Sequence, residues 1–396
     1  MLTFRDPIHG IVRADALEEA LIDSRPLQRL RFVHQLGLTY LVYPGAEHSR
    51  FSHVLGAMTL AGRVYDRLAA NSGGELPMEP DCLERRLVRA AALLHDIGHP
   101  PFSHTAEELF EDGIDHEGMT RRLLAMPQLE EIFARHGRGL TAERVAKLLA
   151  GEVEGRERLL AQVISGELDV DKMDYLLRDT LFCGVRYGNF DLERLLETML
   201  PIEDPGTGQW GIGVDAGGVH ALEALVMARY YMFTQVYFNV TGKVLELHLN
   251  EWLKEGGRRW PAQPETFLVQ DDVSVMAELR CSDSLHARAI TARQRYTLAF
   301  ETGEHLTTEE KSRFAGLLPQ LAERFGRGRL LISNSSKTPH RLAASRVLVR
   351  SHGGELQPME EVSNFMRHLT RIDQYRIYAP RDLRDAVEAA IRALWP

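Results

Sequence analysis

The sequence predicts a mainly α protein with a smaller α/β lobe toward its C-terminal end. Two observations carry that prediction. Through the first two-thirds of the chain, apolar residues recur at helical spacing, most clearly Leu222, Leu225, Val226, Met232, Phe233, Val236 and Val240 in the run 220–249. Beyond residue 300, short apolar runs alternate with helical stretches, the pattern of strands packed under helices. At 396 residues there is chain enough for a large core and two or three domains.

The elements follow in order. His48-Ser49-Arg50-Phe51-Ser52-His53 puts polar residues at the start of a helix whose apolar side is Val54, Leu55, Met58 and Leu60. Gly73-Gly74, with Pro77 and Pro80, marks a surface loop. A core helix then starts near Asp81 as N-cap and runs through Leu94; Gly98 breaks it and Pro100-Pro101 forbids its continuation. Asp169-Val170-Asp171-Lys172-Met173-Asp174-Tyr175 leads into another helix, with Asp174 and Arg178 spaced as a solvated i,i+4 pair. Trp210–Val214 reads as one strand of a hairpin turned by Gly206-Thr207-Gly208. Gly256-Gly257 to Pro264 is the expected boundary, giving domains of residues 1–255 and 256–396. In the second, Thr307-Thr308-Glu309-Glu310 is a capping-box start for a helix toward Phe325 that Pro319 should interrupt or kink. Leu330–Ile332, Arg346–Val349 and Arg376–Tyr378 read as strands, followed by a terminal helix from Arg381 to Leu394. No internal repeat or low-complexity tract is present.

Composition narrows the function. A net charge of -9 argues against a protein that coats nucleic acid. Cys82, Cys183 and Cys281 are far apart, odd in number and without metal-type spacing, so they read as reduced thiols of a cytoplasmic protein. No signal peptide or long apolar span appears, which leaves no expected membrane role.

The most informative feature is His95-Asp96, at the end of an apolar helix. Burying an unpaired carboxylate there costs several kcal/mol. A metal ion is the simplest compensation, because it engages both side chains at once; a buried His–Asp salt bridge is the alternative. His53 upstream, Asp171 downstream, and Asp115-His116-Glu117 between them place further His and acid side chains at helix starts and ends, where they can converge without breaking a hydrophobic face.

The order His53, His95-Asp96, Asp171 resembles the H…HD…D signature of HD-domain metal phosphohydrolases. The flanking words Arg5-Asp6-Pro7-Ile8-His9-Gly10, Gln28-Arg29-Leu30-Arg31, Tyr43-Pro44-Gly45-Ala46, Arg50-Phe51-Ser52-His53, His95-Asp96-Ile97-Gly98-His99 and Asp169-Val170-Asp171-Lys172 are similar to one branch, the deoxynucleoside triphosphate triphosphohydrolases. That branch includes the animal SAM-and-HD-domain enzyme and its bacterial relatives. The similarity covers nearly the whole chain and starts at its first residues, so no sterile-alpha-motif domain is expected. The implied fold is an HD-domain helical core with a smaller α/β C-terminal lobe for regulation or oligomerisation.

The resemblance implies a site. His53, His95, Asp96 and Asp171 would be metal ligands, an imidazole and carboxylate set suited to Fe, Mn, Zn, Ni or Co, with Mg accompanying the triphosphate. It places catalytic histidines at His104 and His116. Glu107, three residues from His104 on a short helix, would share its face and orient the relay; the family often has Asp there. Arg50 and Lys172 would contact phosphates, and His99 would contact phosphate or make a structural hydrogen bond. Tyr175 and Asp179 would contact the sugar or α-phosphate, with Arg229 and Tyr237 on the long helix lining the substrate. Gln35 and Leu36 match the pair under the deoxyribose. Asp23, Gln28 and Arg31 match residues that hold guanine in an activating site, or else pack between helices. Basic residues that hold a second effector in the animal enzyme appear here as Asp215, Gly217, Asn239 and Val240, with Arg194 nearby in sequence. The implied activity is metal-dependent cleavage of a dNTP to deoxynucleoside and triphosphate by a homo-oligomer, dimer or tetramer, with a guanine-nucleotide effector. The competing readings are an HD phosphohydrolase for another nucleotide (ribonucleotide, modified nucleotide or dinucleoside polyphosphate), and a nucleotide-sensing or nucleic-acid-binding protein with a vestigial site.

Overall fold

Helix Arg50–Ala70 is the spine of the larger part of the molecule. Its first turn follows Ser49 in extended conformation, and Phe51, Val54, Leu55, Met58, Ala61, Val64 and Leu68 are buried along its length. It packs against helices Leu83–Leu94 and Val170–Cys183. These three helices bring together the residues singled out above. The computed structural model describes residues 2–338 and 347–395, apart from the side chain of His104.

Two compact units result. The larger comprises Met1–Met232, Arg259–Asp272 and His340–His368; the smaller comprises Phe233–Arg258, Val273–Pro339 and Leu369–Pro396. In the larger unit, helix Leu83–Leu94 begins after Cys82 rather than at Asp81. Asp81 is instead exposed in a turn closed by Cys82 N–H donating to the Glu79 carbonyl at 3.0 Å. His95 is the C-cap, and the chain reaches Phe102 and Ser103 at φ 57° and 59°, left-handed positions that turn it toward the next short helix. Gly98 does more than end a helix. A Cβ there would overlap the His116 carbonyl and Thr120, so glycine lets the start of helix His116–Leu124 approach the His95–His99 loop.

The expectation of a helical N-terminal region fails at the chain start. Leu2–Asp6 and Gly10–Ala14 form an antiparallel hairpin in which Asp6 faces Gly10. Asp6 Oδ1 accepts from the Ile8 and His9 amides, both at 2.9 Å, closing the turn. The predicted hairpin is present: Met199–Glu203 pairs with Trp210–Asp215, and the latter pairs in parallel with Leu348–Arg350. Arg346 lies outside the described residues.

The run 220–249 is two helices. Val219–Met232 passes into a π-helical turn, Phe233–Tyr237, and a new helix Val240–Glu255 starts where Asn239 Oδ1 accepts from the Thr241 and Gly242 amides. The apolar period continues through the break, which hid it; the Asn N-cap was the available signal.

In the smaller unit a three-stranded antiparallel sheet has the order Thr297–Glu301, Ile372–Ala379, Leu331–Lys337. Helices Thr308–Phe325 and Arg384–Leu394 seal one side through Phe314, Leu317, Leu321, Ile377, Val387 and Ile391. The capping box at Thr307 and Glu310 forms. Pro319 does not interrupt that helix. It sits on the exposed side of the helix, away from the packed face. The fold is therefore mainly α with small sheets in the C-terminal part. Among the described residues no helix is long and apolar enough to cross a membrane.

Candidate metal centre

His53 stands one turn inside helix Arg50–Ala70, and its Nδ1 lies 2.7 Å from Asp174 Oδ2. His95, at the end of helix Leu83–Leu94, has Nδ1 2.8 Å from the Ala92 carbonyl. Each Nδ1 faces an acceptor, so with a metal ion bound each ring would keep its proton there and present the Nε2 lone pair inward. Both Nε2 atoms are buried and have no hydrogen-bond partner among the described residues. They converge on Asp171, in the first turn of helix Val170–Cys183. The ligand atoms of His53, His95 and Asp171 all lie within 4.8 Å of one another, with His53 Nε2 3.0 Å and His95 Nε2 3.6 Å from Asp171 Oδ1. Two buried imidazole lone pairs and a carboxylate aimed at one point form a set that fits a divalent metal ion.

Asp96 sits beside this set. Its Oδ1 is 3.3 Å from His95 Nε2 and 3.2 Å from His99 Nε2, while Oδ2 is 3.8 Å from His53 Nε2 and receives the Arg50 guanidinium. Burial would raise the Asp96 carboxyl, but Arg50, His95 and His99 hold it well below the usual carboxylate range. Asp171 is likewise held low by His53 and His95 against its burial. Burial would lower His53, yet Asp171 and Asp174 hold it at about 10. These groups are charged in one another's field, and a cation at their centre would take the place of a shared proton.

A second pair of rings adjoins the first. His99 stacks on His116 with centroids 4.2 Å apart and planes 14° from parallel. His116 Nδ1 makes a short hydrogen bond to Glu107, whose Oε1 also accepts from the His116 amide at 3.2 Å. Burial and Arg50 push His99 well below its ordinary value. Burial opposes protonation of His116, but Glu107 raises it. Neighbouring imidazoles with pKa values driven apart suit an acid and a neutral hydrogen-bonding partner. Glu107 thus turns to His116; the His104 side chain, which it was expected to orient, lies outside the described residues.

Of the other expected residues, Arg50 is buried, with Nε donating to Ser103 Oγ at 2.9 Å. Lys172 Nζ donates to the Gly166 carbonyl at 2.6 Å and pairs with Asp169, the N-cap of its helix. Tyr175 is half-buried, and burial pushes its phenol up. Asp179 is buried, with its Oδ1 2.7 Å from His48 Nε2. Arg229 is buried with Nη1 3.8 Å from Glu167. Tyr237 lies in the π-helical turn of the smaller unit. Gln35 is buried and its Oε1 has no hydrogen-bond partner among the described residues, with half-buried Leu36 next to it. Gln28 Oε1 accepts from Arg31 Nε at 2.9 Å, and the Arg31 guanidinium lies 3.6 Å over the Phe51 ring; Asp23 is exposed at the end of helix Ala16–Ile22. Asp215 caps the turn Ala216–Gly218 and faces Arg350 at 3.4 Å, and Arg194 Nε donates to the Gly217 carbonyl.

Sequence reasoning misjudged one pair and missed several partners. Asp174 and Arg178 are not solvated: both are fully buried, and Arg178 Nη1 reaches Asp6 at 2.8 Å. His9 and His48, each paired to a buried carboxylate of helix Val170–Cys183, had no assigned role. Their motif context was visible, but the partners lie more than a hundred residues away.

Comparison with known proteins defines the class. The HD domain matches residues 50–179 and the HD associated region matches residues 190–395. An uncharacterized protein of Bacillus subtilis, YwfO, is 40% identical over 252 residues, covering 63% of this chain and 54% of YwfO. A Dictyostelium discoideum protein named deoxynucleoside triphosphate triphosphohydrolase SAMHD1 homolog is 30% identical over 303 residues, covering 73% of this chain and 55% of that protein. The crystal structure of a hypothetical protein from Aquifex aeolicus superposes with a TM-score of 0.84 at 33% identity, over 98% of this chain and 99% of that one. The chain spans a little over half the length of these curated relatives. It belongs to the HD-domain family whose members carry the HD associated region, and its fold is that of an HD phosphohydrolase.

Proposed function

We propose that the chain is a metal-dependent hydrolase that cleaves a dNTP at the α-phosphorus ester, releasing deoxynucleoside and triphosphate. The observation that carries this reading is the pair of buried Nε2 lone pairs aimed with Asp171 at one point, directly beside the His99–His116 stack. The D. discoideum relative's name supplies the substrate class. His53, His95 and Asp171, with Asp96 beside them, would hold one of Fe, Mn, Zn, Ni or Co. That ion would polarise a phosphoryl oxygen and activate water, with Mg accompanying the triphosphate.

The chain's own residues do the rest. His116, kept protonated by Glu107, gives a proton to the departing 5′-oxygen, and His104 completes the relay. Arg50, His99 and Lys172 face the phosphates. Gln35 Oε1 is a buried acceptor for a sugar 3′-hydroxyl, and Leu36 fills the space a 2′-hydroxyl would need. Tyr175, Asp179 and Arg229 line the remainder of the substrate. Asp23, Gln28 and Arg31 form a guanine-nucleotide effector site in a homo-oligomer, with residues 256–396 serving regulation or assembly in the cytoplasm. Acidic or uncharged residues at Asp215, Gly217, Asn239 and Val240 make a second, triphosphate-bearing effector weak.

Chromatography of products from each dNTP and NTP in oxygen-18 water, with several divalent metals, tests the reading. It predicts intact triphosphate carrying the label and unlabelled deoxynucleoside. Orthophosphate or pyrophosphate as the first product contradicts it and favours an HD phosphohydrolase for another nucleotide.

A further inference from the structure

The ring of His53 is held from behind, on the side away from Asp171. Asp174 is fully buried and its two oxygens accept four hydrogen bonds. Oδ2 receives His53 Nδ1 at 2.7 Å and Arg178 Nε at 2.8 Å; Oδ1 receives His9 Nε2 at 2.7 Å and Arg178 Nη2 at 2.8 Å. Arg178 extends the chain to Asp6 Oδ2 at 2.8 Å, and the other Asp6 oxygen closes the hairpin turn that carries His9. Helix Arg50–Ala70 makes room for this cluster with Gly56: a Cβ there would overlap both Asp174 Oδ1 and Arg178 Nη2.

We infer that Asp174, braced by Arg178, His9 and Asp6, is a positioning residue that presents the Nε2 lone pair of His53 to the metal, which makes the N-terminal hairpin a working part of the metal site. The inference rests on the metal reading above. A carboxylate is the group that suits the slot. An amide in either orientation would turn its NH2 toward an Arg178 N–H, because Arg178 donates to both oxygens. Facing His53, that NH2 would also favour a proton on Nε2, the atom that must bind the metal. His9 is a second brace on Asp174, and it comes from the N-terminal hairpin, far from the first ligand in sequence.

Cobalt(II) binding to the full chain tests this, read by competition with a chelator and by the ligand-field absorption of the bound ion. Asp174→Asn and His9→Ala should weaken Co(II) affinity about ten- to a hundredfold and shift the absorption bands, because the ring is no longer held in one tautomer and orientation. His9→Gln, whose amide still donates to Asp174, should recover most of the affinity. Gly56→Ala should weaken it without removing any polar group. Thermal melting of each metal-free variant separates a folding defect from a site defect, and the His9 pair carries the test if Asp174→Asn does not fold. A folded His9→Ala protein with wild-type affinity and spectrum overturns the inference. A wild-type chain that binds no Co(II), or whose binding survives His95→Ala, overturns the metal reading instead and this inference with it.

Discussion

The cores of the two units are built from different chemistry. The larger unit buries Arg50, Asp96, Asp174, Arg178, Asp179 and Arg229 together with His48, His53 and His99. The smaller unit seals one side of its sheet with Phe314, Leu317, Leu321, Ile377, Val387 and Ile391, and its buried Asp373 and Arg376 are paired by the partly exposed Lys311 and Glu301. The difference is instructive because buried charge is a poor way to gain stability. Well-packed apolar residues of similar volume often do as well or better. The lobe keeps closer to the stabilising rule, with fewer buried charges, each paired. The HD core departs from it where three helix ends meet, and there the charges hold imidazoles in one orientation.

The largest test of this contrast removes the centre. Asp96→Ala, alone or with His95→Ala, should abolish hydrolysis while the helical circular dichroism persists. Phe314→Ala in the lobe should do the reverse, costing about 3–5 kcal/mol of stability, measured by urea unfolding, with metal affinity intact. If both variants lose stability alike and neither loses metal, the contrast is empty.

Next is the proton donor. His116→Ala should lower kcat by about a hundred- to ten-thousandfold. The sign of the pH effect follows from Glu107. Its carboxylate raises the His116 pKa, so the acid form persists to higher pH. Activity should fall as pH rises through that raised value, and Glu107→Gln, by removing the charge, should move the alkaline limb to lower pH. An unmoved limb assigns the proton to another group.

Smaller effects are expected at the sugar and the effector. Leu36→Ala should raise ribonucleotide relative to deoxyribonucleotide kcat/KM by about tenfold or somewhat more, the scale of a small steric discrimination. GTP and a non-hydrolysable dNTP together should change sedimentation and initial rate little. A monomer that becomes an active tetramer only with both would show that other basic residues, Arg194 among them, supply the effector contacts.

Much of the fold was legible because helical period, caps and Gly or Pro stops are local: the hairpin at 199–215, the Thr307 capping box and the terminal helix follow from residues within a few positions. The N-terminal hairpin was missed because five-residue strands give little alternation to read. Pro319 does not end its helix, because the rule against helical proline weakens on an exposed face. At the site, the His–Asp words mark candidate ligands, but what fixes them is non-local. Asp174 looked like half of a surface pair, and only the packing of Asp6, His9 and Gly56 around it reveals a buried bracket.

The most direct measurement is the metal content of the purified, folded chain after reconstitution with a divalent ion and dialysis, wild type beside Asp171→Ala and His53→Ala. The account predicts stoichiometric, tightly held metal in the wild type and its loss in both variants, because the three ligand atoms share one point. Equal metal in all three folded proteins would contradict it.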